Sequence, residues 1–287
     1  MKNDSFNLNN SEMKELILKI SKIVVVIIIM LVVLIPFYIS FNYSIKDHTE
    51  ITNNRLALPE NPTIQNFITV ISENEQFLIG YKNSILNTIP TVLLLMVITS
   101  MASYVLARYS AKFYQLMYLV FIAGILIPFQ CIMLPLYLNI YNTGLISTNL
   151  GFIIARTGLQ ISISILVVTG FVKSVPRDME EAASIDGCNR FQAFWKIVFP
   201  LMKPVNATQL VLNTLFVWND YNTAVVLLRS PESRTLPLAQ IIYFNENTSE
   251  LNLAFAFFGM AMIPILILYL SMQKHVVSGI MAGAVKG

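Results

Sequence analysis

Charged residues are scarce in this sequence. Of its 287 residues only 12% are Asp, Glu, Lys or Arg, whereas soluble domains carry roughly 25%. A chain with 55% hydrophobic residues lacks the polar surface to cover a globule of this size, and the same composition excludes a disordered chain. The shortage of charge therefore excludes an ordinary soluble enzyme and indicates a polytopic membrane protein.

Cysteine, histidine and net charge are low as well. Cys131 lies in an apolar run and Cys188 in a charged loop, so we expect two free thiols rather than a disulfide. His48 and His275 are too far apart to predict a metal site. With a net charge of only +3 and scattered basic residues, the chain is not expected to bind nucleic acid.

Nucleotide-binding and catalytic motifs are missing. No Gly-Lys dipeptide occurs, so the phosphate-binding loop Gly-x4-Gly-Lys-Ser/Thr is absent. The patterns His-Glu-x2-His and Gly-x-Ser-x-Gly are absent too. We therefore expect no catalytic residue, no metal ligand and no bound cofactor in this chain.

Long uncharged runs are abundant. A spanning helix needs roughly 20 apolar residues, and these runs lack the alternation of barrel strands. The stretch 113–155 exceeds one span, and turn-forming residues within it divide it. Prolines 36, 128, 135 and 264 are expected to kink their spans. We predict an all-α protein with six transmembrane helices at about 23–45, 83–107, 113–138, 150–172, 205–228 and 251–273.

The distribution of Lys and Arg predicts the orientation. If the N-terminus is cytoplasmic, the inner segments carry 13 of these residues and the outer segments carry 5. Cytoplasmic loops hold such an excess, so both termini are predicted to be inside. The first span has no small-residue cleavage site after it, and we expect it to be kept as a span rather than removed as a signal peptide.

The inner connection 173–204 has the composition of two helices. Pro176 fits a first helical turn, acidic residues crowd that turn, where the helix dipole favours anions, and Gly187 is a natural stop. We predict a short helix over 176–186. Its adjacent residues Ala182 and Ala183 would let another backbone come close.

The second half of the connection predicts an amphipathic helix beside the membrane. Phe191, Phe194, Trp195 and Val198 recur at helical spacing, and Pro200 ends the pattern before span five. Such an aromatic face would lie along the inner ends of the spans. Periodicity alone leaves open that the segment is simply a connector.

The residues of this loop also match a known pattern. Glu-Ala-Ala at 181–183 is followed by Gly187 and then by Ile-x-x-Pro at 197–200. This string resembles the signature loop of the permease subunits of bacterial binding-protein-dependent ABC importers. Phe199 in place of the usual Leu and Cys188 in place of the frequent Ala are mild departures.

Three further segments resemble the carbohydrate branch of that family. The stretches 126–137 and 216–221 look like its motifs in spans three and five, and 279–287 looks like the tail of the smaller permease of maltose-type transporters. The resemblance implies a type I ABC importer permease fold in the bacterial cytoplasmic membrane, in contact with lipid, with a sugar or oligosaccharide as substrate. It also implies partners: a second permease, two cytoplasmic ATPase subunits that use ATP and Mg, and an extracytoplasmic solute-binding protein.

The resemblance assigns roles to loop residues. The helix 176–186 would be the coupling helix, which docks in a cleft of one ATPase, with Glu181 paired to a basic residue there. The coupling residues so implied are Glu180, Glu181, Ala182, Ala183, Asp186 and Gly187. The platform beside them consists of Phe194, Trp195, Ile197 and Pro200. The tail that would also reach the ATPase interface contains Gly283 and Lys286.

Two charges, Arg156 and Asp220, fall within predicted spans, about 10 and 12 Å below the outer face at the helical rise per residue. They are predicted either to form an internal ion pair or to line the solute path, where such residues are often functional; a third alternative places Asp220 nearly outside. Trp218 and Asn219 are interpreted as an interface anchor and a helix contact, with sugar binding as the alternative.

Other classes of function remain open. An ABC importer for a non-sugar solute shares the loop but less of the span-three and tail motifs. An ion-coupled secondary transporter predicts internal repeats and buried carboxylates within spans, of which only Asp220 is present. A membrane enzyme would need a catalytic constellation in the spans, and none is visible.

Overall fold

The computed structural model describes residues 10–243 and 250–284, with side chains over 13–243 and 250–274. The described residues form helices and turns, without a strand. A π-helical turn, Phe194–Val198, joins α9 to α10, and the 3₁₀ turns Pro231–Ser233 and Gln240–Tyr243 flank α13. The α-helices are α1 (Asn10–Ser44), α2 (His48–Asn53), α3 (Gln65–Glu73), α4 (Glu75–Arg108), α5 (Lys112–Ile125), α6 (Phe129–Asn142), α7 (Asn149–Val172), α8 (Asp178–Ile185), α9 (Arg190–Ala193), α10 (Phe199–Leu201), α11 (Lys203–Trp218), α12 (Asn222–Leu227), α13 (Leu236–Ala239) and α14 (Leu251–Ala284).

Four of the described helices are long and apolar enough to cross a membrane. They are α1 from Met13, α4, α7, and α14 as far as Lys274. The bent pair α5 and α6 adds a fifth crossing if it is counted as one span. The all-α class is confirmed, whereas the total of six spans and the cytoplasmic position of both termini stay predictions.

Span three differs from its prediction. The helix expected over 113–138 is two helices, α5 and α6, which meet at an angle of 103°. Pro128 stands at the N-cap of α6, and its ring disfavours helical backbone at the preceding residue while its missing N–H interrupts the hydrogen-bond ladder. The kink predicted there is therefore a break, whereas Pro36, Pro135 and Pro264 lie inside helices.

The prediction of a continuous span five is also wrong. The stretch 205–228 contains α11, which has 16 residues and ends at Trp218, and then the 6-residue α12. Between them the carboxylate of Asp220 accepts a hydrogen bond of 2.9 Å from the backbone N–H of Thr223. That amide belongs to the first turn of α12 and has no partner within the helix, so the polar side chain stabilises a new helix start.

The centre of the molecule is the contact between α4 and α7, and α11 packs against both. Val92, Phe152 and Val217 belong to one buried cluster at this contact. A second cluster, around Phe77 and Trp218, joins α4 and α11 to α14. A third cluster attaches the 173–204 connection to the C-terminal end of α7. It comprises Val168, Val172, Phe194, Val198, Met202 and Val205.

Helix α1 lies outside this bundle. It packs along α14, yet the apolar window of its span is 0% buried within the chain. Ile23 and Ile35, at the two ends of its most apolar part, are 52% and 53% exposed. An apolar patch of this extent needs lipid or another chain around it.

Candidate functional site

Helix α8 corresponds to the predicted coupling helix and is shorter than expected. It runs Asp178–Ile185 rather than 176–186. The residues before it extend the end of α7 as turns, since the N–H groups of Ser174 and Val175 donate to carbonyls of α7. Three carboxylates occupy its first turn, as the sequence predicts.

Gly187 ends α8 in the left-handed backbone region, with φ of +85°. Its N–H donates to the carbonyl of Ser184 at 3.1 Å, and the N–H of Cys188 donates to the carbonyl of Ala183 at 2.9 Å. These two bonds form a Schellman motif, which favours glycine at this position. The predicted stop at Gly187 is confirmed.

The predicted coupling residues divide between the two sides of α8. Ala183 is buried, at 4% exposure, on a helix that contacts α9 and the π-helical turn. Met179 and Ile185 are large apolar side chains that are 49% and 87% exposed. The predicted residues that are exposed are Glu181, Ala182, Asp186 and Gly187.

Glu180 contacts the C-terminal end of α4 rather than facing solvent. Its Oε1 accepts a hydrogen bond of 2.6 Å from Nε of Arg108, and its Oε2 accepts one of 2.9 Å from the hydroxyl of Tyr104. The side chains of Arg108 and Glu180 are only 8% and 15% exposed. This placement differs from the expectation that Glu180 belongs to the surface that meets the ATPase.

Arg108 joins three helices. Beside its contact with Glu180, its two terminal nitrogens donate to the carbonyls of Val172 and Val175, at 3.1 and 3.0 Å. These carbonyls lie at the end of α7 and just after it, where helical donors are missing, and the planar guanidinium fork suits several acceptors at once. Tyr104 and Arg108 were not predicted as site residues, and their four-residue spacing at the C-terminal end of a span was the available signal.

The platform beside α8 is not one regular helix, contrary to the prediction. It begins with a capping box between Asn189 and Gln192 and continues through the π-helical turn. Because that turn changes the angular spacing of the side chains, the predicted aromatic face is only partly buried. Phe194 and Val198 are 3% and 0% exposed, whereas Phe191 is 63% exposed.

The four predicted platform residues have different environments. The ring of Phe194 lies 5.2 Å from that of Tyr104 on α4. The ring of Trp195 meets Phe194 edge-on at 5.0 Å and lies tilted against Phe199 at 4.9 Å. Ile197 is half-buried. Pro200 is exposed in the first turn of α10, where its missing N–H costs little.

Arg156 and Asp220 meet inside the bundle. Nε of Arg156 lies 2.8 Å from Oδ2 of Asp220, and the two side chains are 12% and 6% exposed. Within the described residues neither of these two atoms has an aligned hydrogen bond, so the contact is an ion pair. A terminal nitrogen of Arg156 also donates to the carbonyl of Phe216 at 3.2 Å. The pair therefore joins α7 to the break between α11 and α12.

Trp218 and Asn219 stand at that break. The indole N–H of Trp218 donates to the carbonyl of Ala261 at 3.1 Å, and its ring meets Tyr81 edge-on. With 6% exposure, Trp218 is a core residue and helix contact. Asn219 donates to the carbonyl of Leu215 at 2.9 Å and remains exposed.

A cavity of about 660 Å³ opens beside the break. It lies between α1, α14 and the turns that follow α12. Rings of Phe37, Tyr221 and Phe255 line it together with the amides of Asn219 and Gln240. The cavity thus has aromatic faces and a few hydrogen-bonding groups, as ligand pockets generally do.

A buried polar network between α7 and α11 was also missed. Oδ1 of Asn213 accepts hydrogen bonds of 3.2 Å from both Gln160 and Ser164, and its amide donates to Gln209 at 2.9 Å. The signal was the four-residue spacing of these polar side chains, which places them on one face of each helix. The network fixes the two spans relative to each other.

The remaining predicted positions carry less information. Lys286 lies outside the described residues, and Gly283 is part of the last turn of α14. Among the described residues, no group of three His, Cys, Asp or Glu side chains could hold a metal ion. Cys131 and Cys188 are free thiols, as predicted.

These features define a polytopic membrane protein with a structured loop between two spans. The model of the family described as binding-protein-dependent transport system inner membrane component matches residues 99–281. The chain belongs to this family and is a multi-pass protein of the cytoplasmic membrane. The resemblance drawn from the loop motif is confirmed.

Named relatives cover nearly the whole chain. The probable starch degradation products transport system permease protein AmyC of Thermoanaerobacterium thermosulfurigenes is 34% identical over 88% of this chain and 91% of its own length. The melibiose/raffinose/stachyose import permease protein MelC of Bacillus subtilis is 33% identical, with the same coverage of 88% and 91%. The multiple sugar-binding transport system permease protein MsmG of Streptococcus mutans is 34% identical over 92% and 96%.

A solved structure shares the fold. It is a bacterial ABC transporter involved in the import of the acidic polysaccharide alginate, with a TM-score of 0.82 and 25% identity over 94% of this chain and 99% of that one. The predicted fold of an ABC importer permease is therefore confirmed.

Proposed function

We propose that this chain is the permease subunit of an ATP-driven ABC importer that carries a sugar or oligosaccharide into the cell. The observation that carries the proposal is similarity over almost the full length to AmyC, MelC and MsmG, which are about one third identical and are sugar permeases by name. An ABC importer of a non-sugar solute is the alternative, and an ion-coupled transporter is the more distant one.

Helix α8 is the proposed contact with the ATPase. The exposed side chains of Glu181 and Ile185 lie one turn apart on this helix, and Met179 adds a second exposed apolar side chain, while Ala182 leaves room for a close approach. Exposed apolar side chains next to a charge are typical of a protein interface. A carboxylate that pairs with a cation there would add a charge-assisted hydrogen bond.

The proposed complex contains further chains. A second permease would complete the pore, and together with lipid it would cover α1, whose apolar window is 0% buried by the described residues. Two cytoplasmic ATPase subunits would bind ATP and Mg, because the sequence has no phosphate-binding loop. A solute-binding protein outside the cell would deliver the sugar.

The broken span five is the proposed lining of the solute path. Unwound backbone at membrane depth is tolerated where it is buried in protein or faces a cavity, and the cavity beside Asn219 and Tyr221 meets that condition. Rings and amides together can hold a sugar ring by stacking and hydrogen bonding. Arg156 and Asp220 have a structural role in this proposal. Their charges neutralise each other, and the ion pair holds the broken span against α7.

The test is uptake by the whole complex, reconstituted in vesicles with its binding protein and a panel of labelled mono- and oligosaccharides. The wild type is expected to take up one of these sugars only when ATP is present on the cytoplasmic side. Glu181→Lys should abolish that uptake, because it reverses the charge at the proposed ATPase contact. Asp178→Lys, an equal charge reversal at another exposed carboxylate of α8, should reduce it less.

The other outcomes separate the alternatives. Uptake that follows an ion gradient without ATP would contradict the ABC importer. ATP hydrolysis stimulated by the binding protein with no sugar taken up would point to a non-sugar solute. Equal uptake by Glu181→Lys and the wild type would remove Glu181 from the coupling surface.

A further inference from the structure

We infer that Tyr104 and Arg108 of α4 are positioning residues that clamp Glu180, so that the coupling helix α8 moves as one rigid body with the membrane helices. This inference rests on the proposed function, because it concerns how motion of the ATPase would reach the spans. It assigns Glu180 to force transmission within this chain and leaves contact with the ATPase to its neighbour Glu181.

The geometry around Glu180 leaves its carboxylate little freedom. One oxygen accepts from the guanidinium of Arg108 and the other from the hydroxyl of Tyr104, so rotation about the terminal bond would break both contacts. The ion pair is largely buried, and charge-assisted hydrogen bonds of this kind are short and strong. The carboxylate of Glu181, the proposed ATPase contact, is exposed instead.

Arg108 extends the clamp to α7. Its remaining nitrogens hold the carbonyls of Val172 and Val175, at the point where the chain leaves α7 toward α8. Arg177 donates in return to the backbone carbonyl of Arg108 at 3.2 Å. The turn between α7 and α8 is therefore tied to α4 on both sides, and it cannot flex without breaking several hydrogen bonds.

The same residues attach the second half of the loop. The ring of Tyr104 packs on Phe194, which is buried with Val168 and Val172 of α7. Because Tyr104 touches both Glu180 and Phe194, α8 and the platform share one support on α4. A displacement of α8 by a docked ATPase would then move α4 and α7, whereas a free α8 would pivot on the turns at its two ends.

The proposal is tested by the number of sugar molecules imported per ATP hydrolysed, measured on the reconstituted complex with its binding protein. Glu180→Gln removes the charge and Tyr104→Phe removes one hydroxyl, while the control Asp178→Asn neutralises an exposed carboxylate of the same helix. We expect Glu180→Gln to lower the ratio about fivefold or more, with ATP hydrolysis retained. Tyr104→Phe should lower it less, and the double variant should be no worse than Glu180→Gln alone.

A measurement of the distance between α8 and the end of α4 tests directly whether the two move as one rigid body. Spin labels at Ser184→Cys on α8 and Ser110→Cys after α4 occupy exposed positions, in a background with Cys131→Ser and Cys188→Ser. With Glu180 intact, one narrow distance distribution is expected both without nucleotide and with ATP. With Glu180→Gln the distribution should broaden.

Each contrary result has one meaning. An unchanged import ratio in Glu180→Gln, or a distance that shifts with ATP in the intact protein, would overturn the clamp. Parallel loss of uptake and ATP hydrolysis at a constant ratio would place Glu180 at the ATPase contact instead. If the complex with Glu180→Gln does not assemble, the same measurements on Tyr104→Phe test the clamp. Absence of ATP-dependent uptake in the wild type would contradict the proposed function, while the distance measurement would still test the clamp.

Discussion

At the scale of single residues, the Arg156–Asp220 pair places two charges where charge is costly. Taking an ion pair out of water often gains little net stability, but removing only one partner leaves a buried charge uncompensated. Asp220 has a second task, because its other carboxylate oxygen accepts from the N–H of Thr223. Exchanging the two residues would therefore confuse loss of the pair with loss of this helix start.

A sharper test keeps the bond to Thr223. Arg156→Met should destabilise the protein by about 3 kcal/mol, because it strands the carboxylate of Asp220. Asp220→Asn retains an oxygen that can accept from Thr223, and the double variant should be more stable than Arg156→Met alone. Thermal unfolding of the detergent-solubilised complex gives all three values.

Arg55→Met is the control for this cycle, since Arg55 is an exposed arginine of an outer loop and its loss should change stability by less than about 0.5 kcal/mol. Strictly additive effects of Arg156→Met and Asp220→Asn would mean that the two charges do not stabilise each other. Asn219, which is exposed and faces the cavity, has no part in the pair and is left unchanged.

At the scale of elements, the end of α8 depends on one backbone conformation. Gly187 has a positive φ, and a residue with a Cβ is disfavoured there by roughly 1–2 kcal/mol, with Asn tolerated better than most. Gly187→Ala should therefore speed amide hydrogen exchange over 183–190 by about tenfold. Gly187→Asn should have a smaller effect.

The matched control for this change is Gly158→Ala in α7. An added Cβ there meets nothing within 4 Å, and Ala favours helix over Gly, so exchange in α7 should slow or stay equal. If Gly187→Ala leaves exchange over 183–190 at the wild-type rate, the Schellman motif is not what limits opening of this loop.

The elements also show where sequence reasoning succeeds. Uncharged run length located the apolar parts of α4 and α7, and Gly187 located the end of α8, because these signals depend on neighbours along the chain. The breaks at Pro128 and Asp220 were misjudged, the first as a kink and the second as a continuous helix. The length of an apolar run reflects the free energy of transfer to lipid. It does not predict a helix break at which a side chain competes for backbone donors.

The candidate site was likewise predicted only where its residues are close together in the sequence. The motif that predicts a coupling loop consists of Glu181, Gly187 and Pro200, which lie close together in the sequence. The direction in which Glu180 points depends on Arg108, 72 residues earlier, and a single sequence gives no measure of such a contact. Regular helical spacing predicts which side chains of the platform share one face. The π-helical turn changes that spacing, so the predicted face is only partly buried.

At the scale of the whole molecule, the long apolar helices indicate where the chain crosses the membrane, but they do not indicate which end of each helix is cytoplasmic. The orientation rests on the split of 13 inner against 5 outer Lys and Arg residues. Each such residue near an anionic inner leaflet contributes about 1 kcal/mol, and loops rich in them are retained in the cytoplasm. The coupling loop and the α4–α5 turn must then share the cytoplasmic side, as the contact between Glu180 and Arg108 requires.

Cysteine labelling tests this orientation. In a background with Cys131→Ser and Cys188→Ser, a membrane-impermeant maleimide on intact cells should label Glu60→Cys in the outer loop and leave Ser110→Cys in the α4–α5 turn unlabelled. Both positions are exposed in this chain, and both should label once detergent opens the membrane, which controls for access. The reverse pattern in intact cells would place the coupling loop outside, away from any ATPase, and would overturn the orientation together with the proposed mode of coupling.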